Sequence, residues 1–132
     1  MVEFFLPMKK IPTTTHQQKK VAVLNGKVRH YEPESLAEAR SKFMSALYPH
    51  APADEMKGPI RLTVKWLFPM TKKSEDGQYK ISKPDLDNLM KLLKDCMTDL
   101  AFWKDDAQVA SLVTEKFYAK QVGIYVKVEE IK

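Results

Sequence analysis

From residue 60 onward hydrophobic and polar side chains alternate, with Ile60, Leu62, Val64, Trp66 and Phe68 on one side and Arg61, Thr63 and Lys65 on the other. A period of two sends neighbours to opposite faces, so this run predicts a half-buried strand. From Leu86 the period changes. Apolar residues at 86, 89, 90, 93, 96, 97 and 100 trace one stripe of a helix with 3.6 residues per turn, for about four turns. Alternation returns in Val122, Ile124, Val126 and Val128, which with Val109–Tyr118 predicts two closing strands. Nearer the start, VEFFLPM (2–8) reads as a first strand stopped by Pro7, followed by the polar loop IPTTTHQQKK. VAVLNGKVRHY places Asn25-Gly26 between two strand-like runs, and Asn-Gly takes up the positive φ angles of a two-residue hairpin turn. Pro33 opens a helix with Leu36, Ala39, Phe43 and Leu47 at helical spacing, and Pro49 stops it. MTKKSEDGQYKISK (70–83) has no apolar period and contains Gly77, so it reads as a mobile loop. The expected architecture is one α+β (α/β) domain over residues 1–132, a mixed sheet with helices packed on it.

Composition narrows the classes. A chain of 132 residues suits one compact domain, and 44% hydrophobic residues supply a core without disulfides or a structural metal. Cys96 is the only cysteine and falls on the apolar stripe, so a disulfide framework or a zinc quartet within one chain is excluded and a buried thiol is expected. His16, His30 and His50 lack ligand spacing, and the seven methionines read as core filler. The run Val2–Leu6 is too short for a signal peptide and Glu3 interrupts it. No stretch approaches the ~20 apolar residues of a membrane helix, so a soluble cytoplasmic protein with no membrane partner is expected. The net charge of +5 is spread along the chain and points to an anionic partner.

The remaining chemistry lies in two acidic pairs, Asp85 and Asp87 in KPDLDNLMK, and Asp105 and Asp106 in FWKDDAQV. Each pair alone is explained blandly. A carboxylate caps a helix start, and Asp-Asp solvates a turn. Asn88 and Lys91 extend the polar face of the helix, and Asp87 and Lys91 have the spacing of an i,i+4 ion pair. If the short link AFWK returns the chain to the helix start, the carboxylates converge and require a cation. Mg²⁺ and Mn²⁺ take hard oxygen ligands and can flank a scissile phosphodiester, with a lysine offsetting charge on the phosphoryl oxygens. A DxD pair by itself also fits nucleotide-sugar transferases, although 132 residues leave little room for donor and acceptor sites.

The run from Pro84 to Val109, PDLDNLMKLLKDCMTDLAFWKDDAQV, resembles the core motif of the RusA-type Holliday junction resolvases: DxDNLxK, a helix, then a link to DDxQ. The resemblance covers about a fifth of the chain. It implies a small α/β hydrolase that works as a homodimer in DNA recombination and repair, bacterial or phage-encoded, nicking opposing strands of a four-way junction. It further implies that Asp85, Asp87 and Asp106 bind Mg²⁺, with Mn²⁺ a substitute, and that Lys91 is the catalytic lysine; Asp105 and Gln108 match without an assigned role. Lys72, Lys73, Lys80 and Lys83, just before the first acidic pair, are the candidate phosphate contacts. Lys9, Lys10, Lys19 and Lys20 come second, and Tyr79 or Phe68 are candidates for stacking on an unpaired base, with core burial the alternative for Phe68. The rival of a different class is a non-catalytic DNA-binding module of the same fold.

Overall fold

The computed structural model describes residues 1–13, 20–24, 27–31 and 34–132. Strand β4 (Ile60–Pro69) is its organising element, because its alternating pattern buries Ile60, Leu62, Val64 and Trp66 completely and Phe68 nearly so. Around it the strands β1 (Val2–Pro7), β6 (Gly123–Glu130) and β5 (Val109–Ala119) form a four-stranded mixed sheet in the order β1-β6-β4-β5. β4 pairs antiparallel with β6 and parallel with β5, so that Val64 lies between Val126 and Thr114. A separate antiparallel pair, β2 (Lys20–Leu24) and β3 (Lys27–Tyr31), ends on Leu24 opposite Lys27; the Asn25-Gly26 turn itself and Pro33 lie outside the described residues, as do Lys19, His16 and the side chains of Lys20 and His30.

Two helices supply the other half of the core. Helix α1 (Glu34–Leu47) buries Leu36, Ala39, Phe43 and Leu47, the four positions its spacing selects, and Phe43 meets the Trp66 ring edge-on at 6.5 Å. Helix α2 (Leu86–Asp99) buries Leu89, Met90, Leu93, Cys96 and Met97 as expected, and also Leu92. The wider buried arc follows from its position, since α2 packs against α1 as well as against the sheet. Burying the Trp66 indole requires a partner for its N–H, and the Thr114 hydroxyl accepts it at 3.0 Å. His50 is structural, its ring stacked on Phe4 at 4.3 Å.

The ends of α2 explain the link that follows. Ala101 takes the left-handed conformation (φ 60°), and the N–H groups of Ala101 and Phe102 turn back to the carbonyls of Thr98 and Met97, both at 3.0 Å. This is the Schellman closure of a helix. Phe102 and Trp103 then enter the core, fully buried, with the Trp103 indole donating to the Thr98 hydroxyl at 2.7 Å. At the other side of the sheet, Gly123 faces Leu6 and Phe5 so closely that a Cβ would stand 2.3 Å from the Leu6 carbonyl oxygen. Only glycine permits that approach of β6 to β1.

One expectation changes. Residues 70–83 are not simply an open loop, because residues 77–80 line up along the outer edge of β5: the N–H of Gly77 donates to Tyr118 O at 2.8 Å, that of Tyr118 to Gln78 O at 2.8 Å, and that of Lys80 to Lys116 O at 3.0 Å. An edge strand offers such groups to any extended segment, which a hydrophobic period cannot reveal. Among the described residues, no helix is long and apolar enough to cross a membrane.

Candidate active site

Helix α2 connects β4 to its parallel neighbour β5, so its first residues stand at the carboxyl ends of the two strands and its last residues at their amino ends. Carboxyl ends of parallel strands, met by a helix N-terminus, are where such units commonly bind anionic or polar ligands. Asp85 occupies the N-cap position in extended backbone, yet its side chain makes no capping hydrogen bond, and Asp87 follows in the first turn. Both are exposed. The bland explanation by capping therefore does not apply to Asp85. Nor do Asp87 and Lys91 form the ion pair their spacing allows: among the described residues, no side chain pairs with Asp85, Asp87 or the half-buried Lys91.

The approach to Asp85 is fixed by lysines. Lys116, on β5, donates through Nζ to the carbonyls of Ser82 (2.7 Å) and Pro84 (2.8 Å) and so ties the segment before α2 to the sheet. Lys80 Nζ donates to Ser82 Oγ at 2.7 Å and lies over the rings of Phe68 (5.4 Å) and Tyr118 (5.0 Å). The Tyr118 hydroxyl, 3.4 Å from Ser82 Oγ, has its pKa lowered, first by that contact and then by the charges of Lys80 and Lys116. Tyr79 behaves oppositely: its hydroxyl donates to Glu115 at 2.8 Å, and that hydrogen bond and the carboxylate's charge raise its pKa.

The second acidic pair divides its labour. Asp105 caps the 3₁₀ turn Asp106–Gln108 by accepting from Ala107 N at 2.9 Å. Gln108 accepts through Oε1 from the N–H groups of Lys104 (2.9 Å) and Asp105 (3.0 Å), and donates through Nε2 to the carbonyls of Met56 (2.9 Å) and Gly58 (3.2 Å). Those two residues are consumed in holding the turn. Asp106 is left half-buried and lines, with Arg40, Asp95, Thr98 and Asp99, a cavity of about 290 Å³.

That cavity lies beside the last turns of α2, whereas Asp85 and Asp87 lie at its first. The 14-residue helix is about 21 Å long. Asp85 and Asp87 thus stand at the first turn of α2 with Lys91 one turn beyond Asp87, Asp106 lies beside the last turns, and among the described residues no three acidic, histidine or cysteine side chains converge on one point.

A family model described as Endodeoxyribonuclease RusA matches residues 9–129. The chain belongs to the RusA family. It is 33% identical over 131 residues to the crossover junction endodeoxyribonuclease rusA of Lactococcus phage r1t, covering 98% of each chain, and 31% identical over 121 residues to the uncharacterized protein YqaN of Bacillus subtilis (strain 168), covering 83% of this chain and 84% of that one. The RusA match takes in both acidic pairs, Lys91 and the lysine-rich approach. Of the candidate phosphate contacts, Lys72, Lys73 and Lys83 are exposed and Lys80 is half-buried beneath the approach to Asp85. Phe68 is in the core, 8% exposed, while Tyr79 is 60% exposed and stacked on Phe117 at 4.7 Å. Lys116, Ser82 and Tyr118 escaped sequence reasoning. Lys116 and Tyr118 lie inside a strand whose alternation gives no sign that two even positions turn toward a neighbouring segment.

Proposed function

We propose that this chain is a Mg²⁺-dependent, structure-selective endonuclease that resolves Holliday junctions by paired symmetric nicks, working as a homodimer on branched DNA. Its membership of the RusA family and its likeness to a phage crossover junction endodeoxyribonuclease support the reaction class. The observation that carries the reading to residues is Asp85, a helix N-cap carboxylate not spent on capping, beside Asp87 and amid lysines.

Two exposed carboxylates at one helix start are the donor set Mg²⁺ accepts, since that ion keeps several waters and takes one or two protein carboxylates plus substrate phosphate. Asp85 and Asp87 would hold it, while Asp106 of the same chain, beside the last turns of α2, stands apart from that pair. When bound, the ion acidifies an attacking water and neutralises charge on the phosphate. The rest falls to the chain itself. Lys91, half-buried one turn beyond Asp87, places a positive charge where negative charge grows on the phosphoryl oxygens. Lys72, Lys73, Lys80 and Lys83 draw the DNA backbone to that end of the sheet without reading bases. Symmetric nicks require two equivalent sites related by a two-fold axis, hence the homodimer.

The test is cleavage of an immobile four-way junction with Mg²⁺, compared with binding in Ca²⁺. Asp87→Asn should keep binding and lose cleavage by about 100-fold or more, the scale of removing an aligned charge at a reacting group. Equal cleavage by Asp87→Asn overturns the assignment, and DNA binding with no cleavage by the unaltered protein would favour the non-catalytic module.

A further inference from the structure

Four positions before Asp85 stands Ile81, an aliphatic side chain that is 96% exposed. A single apolar residue on a surface is ordinary. What sets Ile81 apart is that the chain on both sides of it is tied to β5. On one side, Lys80 donates its N–H to Lys116 O at 3.0 Å, and its ammonium group lies over the Phe68 and Tyr118 rings. On the other, the Ser82 and Pro84 carbonyls accept from Lys116 Nζ at 2.7 and 2.8 Å, and Ser82 Oγ accepts from Lys80 Nζ at 2.7 Å. In extended chain successive side chains point opposite ways, so with both neighbours bound to the sheet Ile81 is held out from it. The side chain is stiff as well, because β-branching restricts χ1.

The surroundings select what this tip meets. Lys83 is exposed two residues on, Lys80 adjoins it, and Lys72 and Lys73 are exposed earlier in the same segment. An apolar tip among cations is repelled by a second copy of itself and suits a partner that carries phosphates outside and flat apolar faces within. Nucleic acid has that construction. An aliphatic group gains nothing from a phosphate, but it can enter between base pairs, as the isoleucine and leucine wedges of DNA-kinking proteins do. In a continuous duplex such entry sacrifices the stacking of a whole step. At the exchange point of a four-way junction, the last pairs of two arms meet without two continuous strands between them, so the step opens with less loss.

We propose that Ile81 is the wedge by which this chain senses a branch point, entering the base stack there and setting the adjoining backbone beside Asp85 and Asp87. This rests on the endonuclease reading above and names the residue behind its preference for branched over continuous DNA. The lysines supply attraction that any duplex would satisfy. Ile81 adds a contact that only a weakened stack accepts.

The probe is an immobile four-way junction with 2-aminopurine at the exchange point, held in Ca²⁺. That base brightens when its stacking neighbours are removed. The unaltered protein should brighten it several-fold and should leave the same base dark in the middle of an arm. Ile81→Ser should abolish the rise and lower the preference for junction over unbranched duplex by about 10-fold, the scale of burying one aliphatic side chain. Ile81→Leu should restore both. Because Ile81 is exposed, the serine variant should unfold at the temperature of the unaltered protein, which separates a lost wedge from a lost fold. A full rise in Ile81→Ser overturns the proposal, as does equal brightening in mid-arm. A serine variant that sediments as a smaller species than the unaltered protein also overturns it, by placing Ile81 in a contact between copies. Junction cleavage in Mg²⁺ by the unaltered protein with no brightening removes the wedge and leaves the function standing; brightening that depends on Ile81 without cleavage does the reverse.

Discussion

Gln108 and Tyr118 show how much of the site's support falls to side chains outside the reaction. Gln108 bonds two backbone N–H groups and two carbonyls, joining the turn after α2 to the segment before β4. Leucine is of similar size but satisfies none of them. Gln108→Leu should therefore cost about 2 kcal/mol or more, since partly buried polar groups left unsatisfied cost roughly 1–3 kcal/mol, measured by urea unfolding. At the other end, Ser82, Lys80 and Lys116 favour the Tyr118 phenolate. The sign follows from linkage: a phenol whose folded pKa lies below its ordinary 10.0 contributes stability at alkaline pH and loses that contribution as pH falls through the lowered value. Phenolate absorbance should show one tyrosine titrating below the others, and Ser82→Ala should move its midpoint upward. An unchanged midpoint would remove Ser82 from that environment.

At the scale of elements, α2 is held by its caps as well as by its stripe. Ala101 closes the helix in a conformation that costs a side-chain-bearing residue roughly 1–2 kcal/mol. Ala101→Gly should raise stability by about 1 kcal/mol, because glycine adopts positive φ without that penalty; thermal unfolding checks it. These elements were legible in the chain to different degrees. β4 and α2 were plain because every position of each repeats the same choice of inside or outside. The burial of Leu92 was not, since it depends on α1 arriving from far away in sequence to cover a second arc of α2. The seating of residues 77–80 on β5 escaped for a related reason. Backbone groups make those hydrogen bonds, and hydrophobic periodicity describes side chains alone.

For the whole molecule, the acidic motif supplies the carboxylates of the proposed chemistry but does not say how far apart they lie. That distance is set by the parallel pairing of β4 with β5, a long-range property that the residues of the motif do not encode. The same topology gathers the lysines of segment 72–83 at the carboxyl ends of those strands, away from Asp106. If these lysines serve as phosphate contacts, they should act on affinity alone. Each phosphate contact releases condensed counterions and adds about 0.9 to the slope of log affinity against log salt concentration. Lys72 and Lys73 are exposed, and among the described residues neither ammonium group makes a hydrogen bond or ion pair, so replacing both with glutamine should leave the fold intact. Binding to a four-way junction in Ca²⁺ should then weaken and its salt slope fall by about 2, one contact each. Tight Mn²⁺ binding should be unchanged, because neither lysine is a ligand. A slope identical to that of the unaltered protein would move the DNA path off this end of the sheet and leave the second set, Lys9, Lys10, Lys19 and Lys20, to carry it.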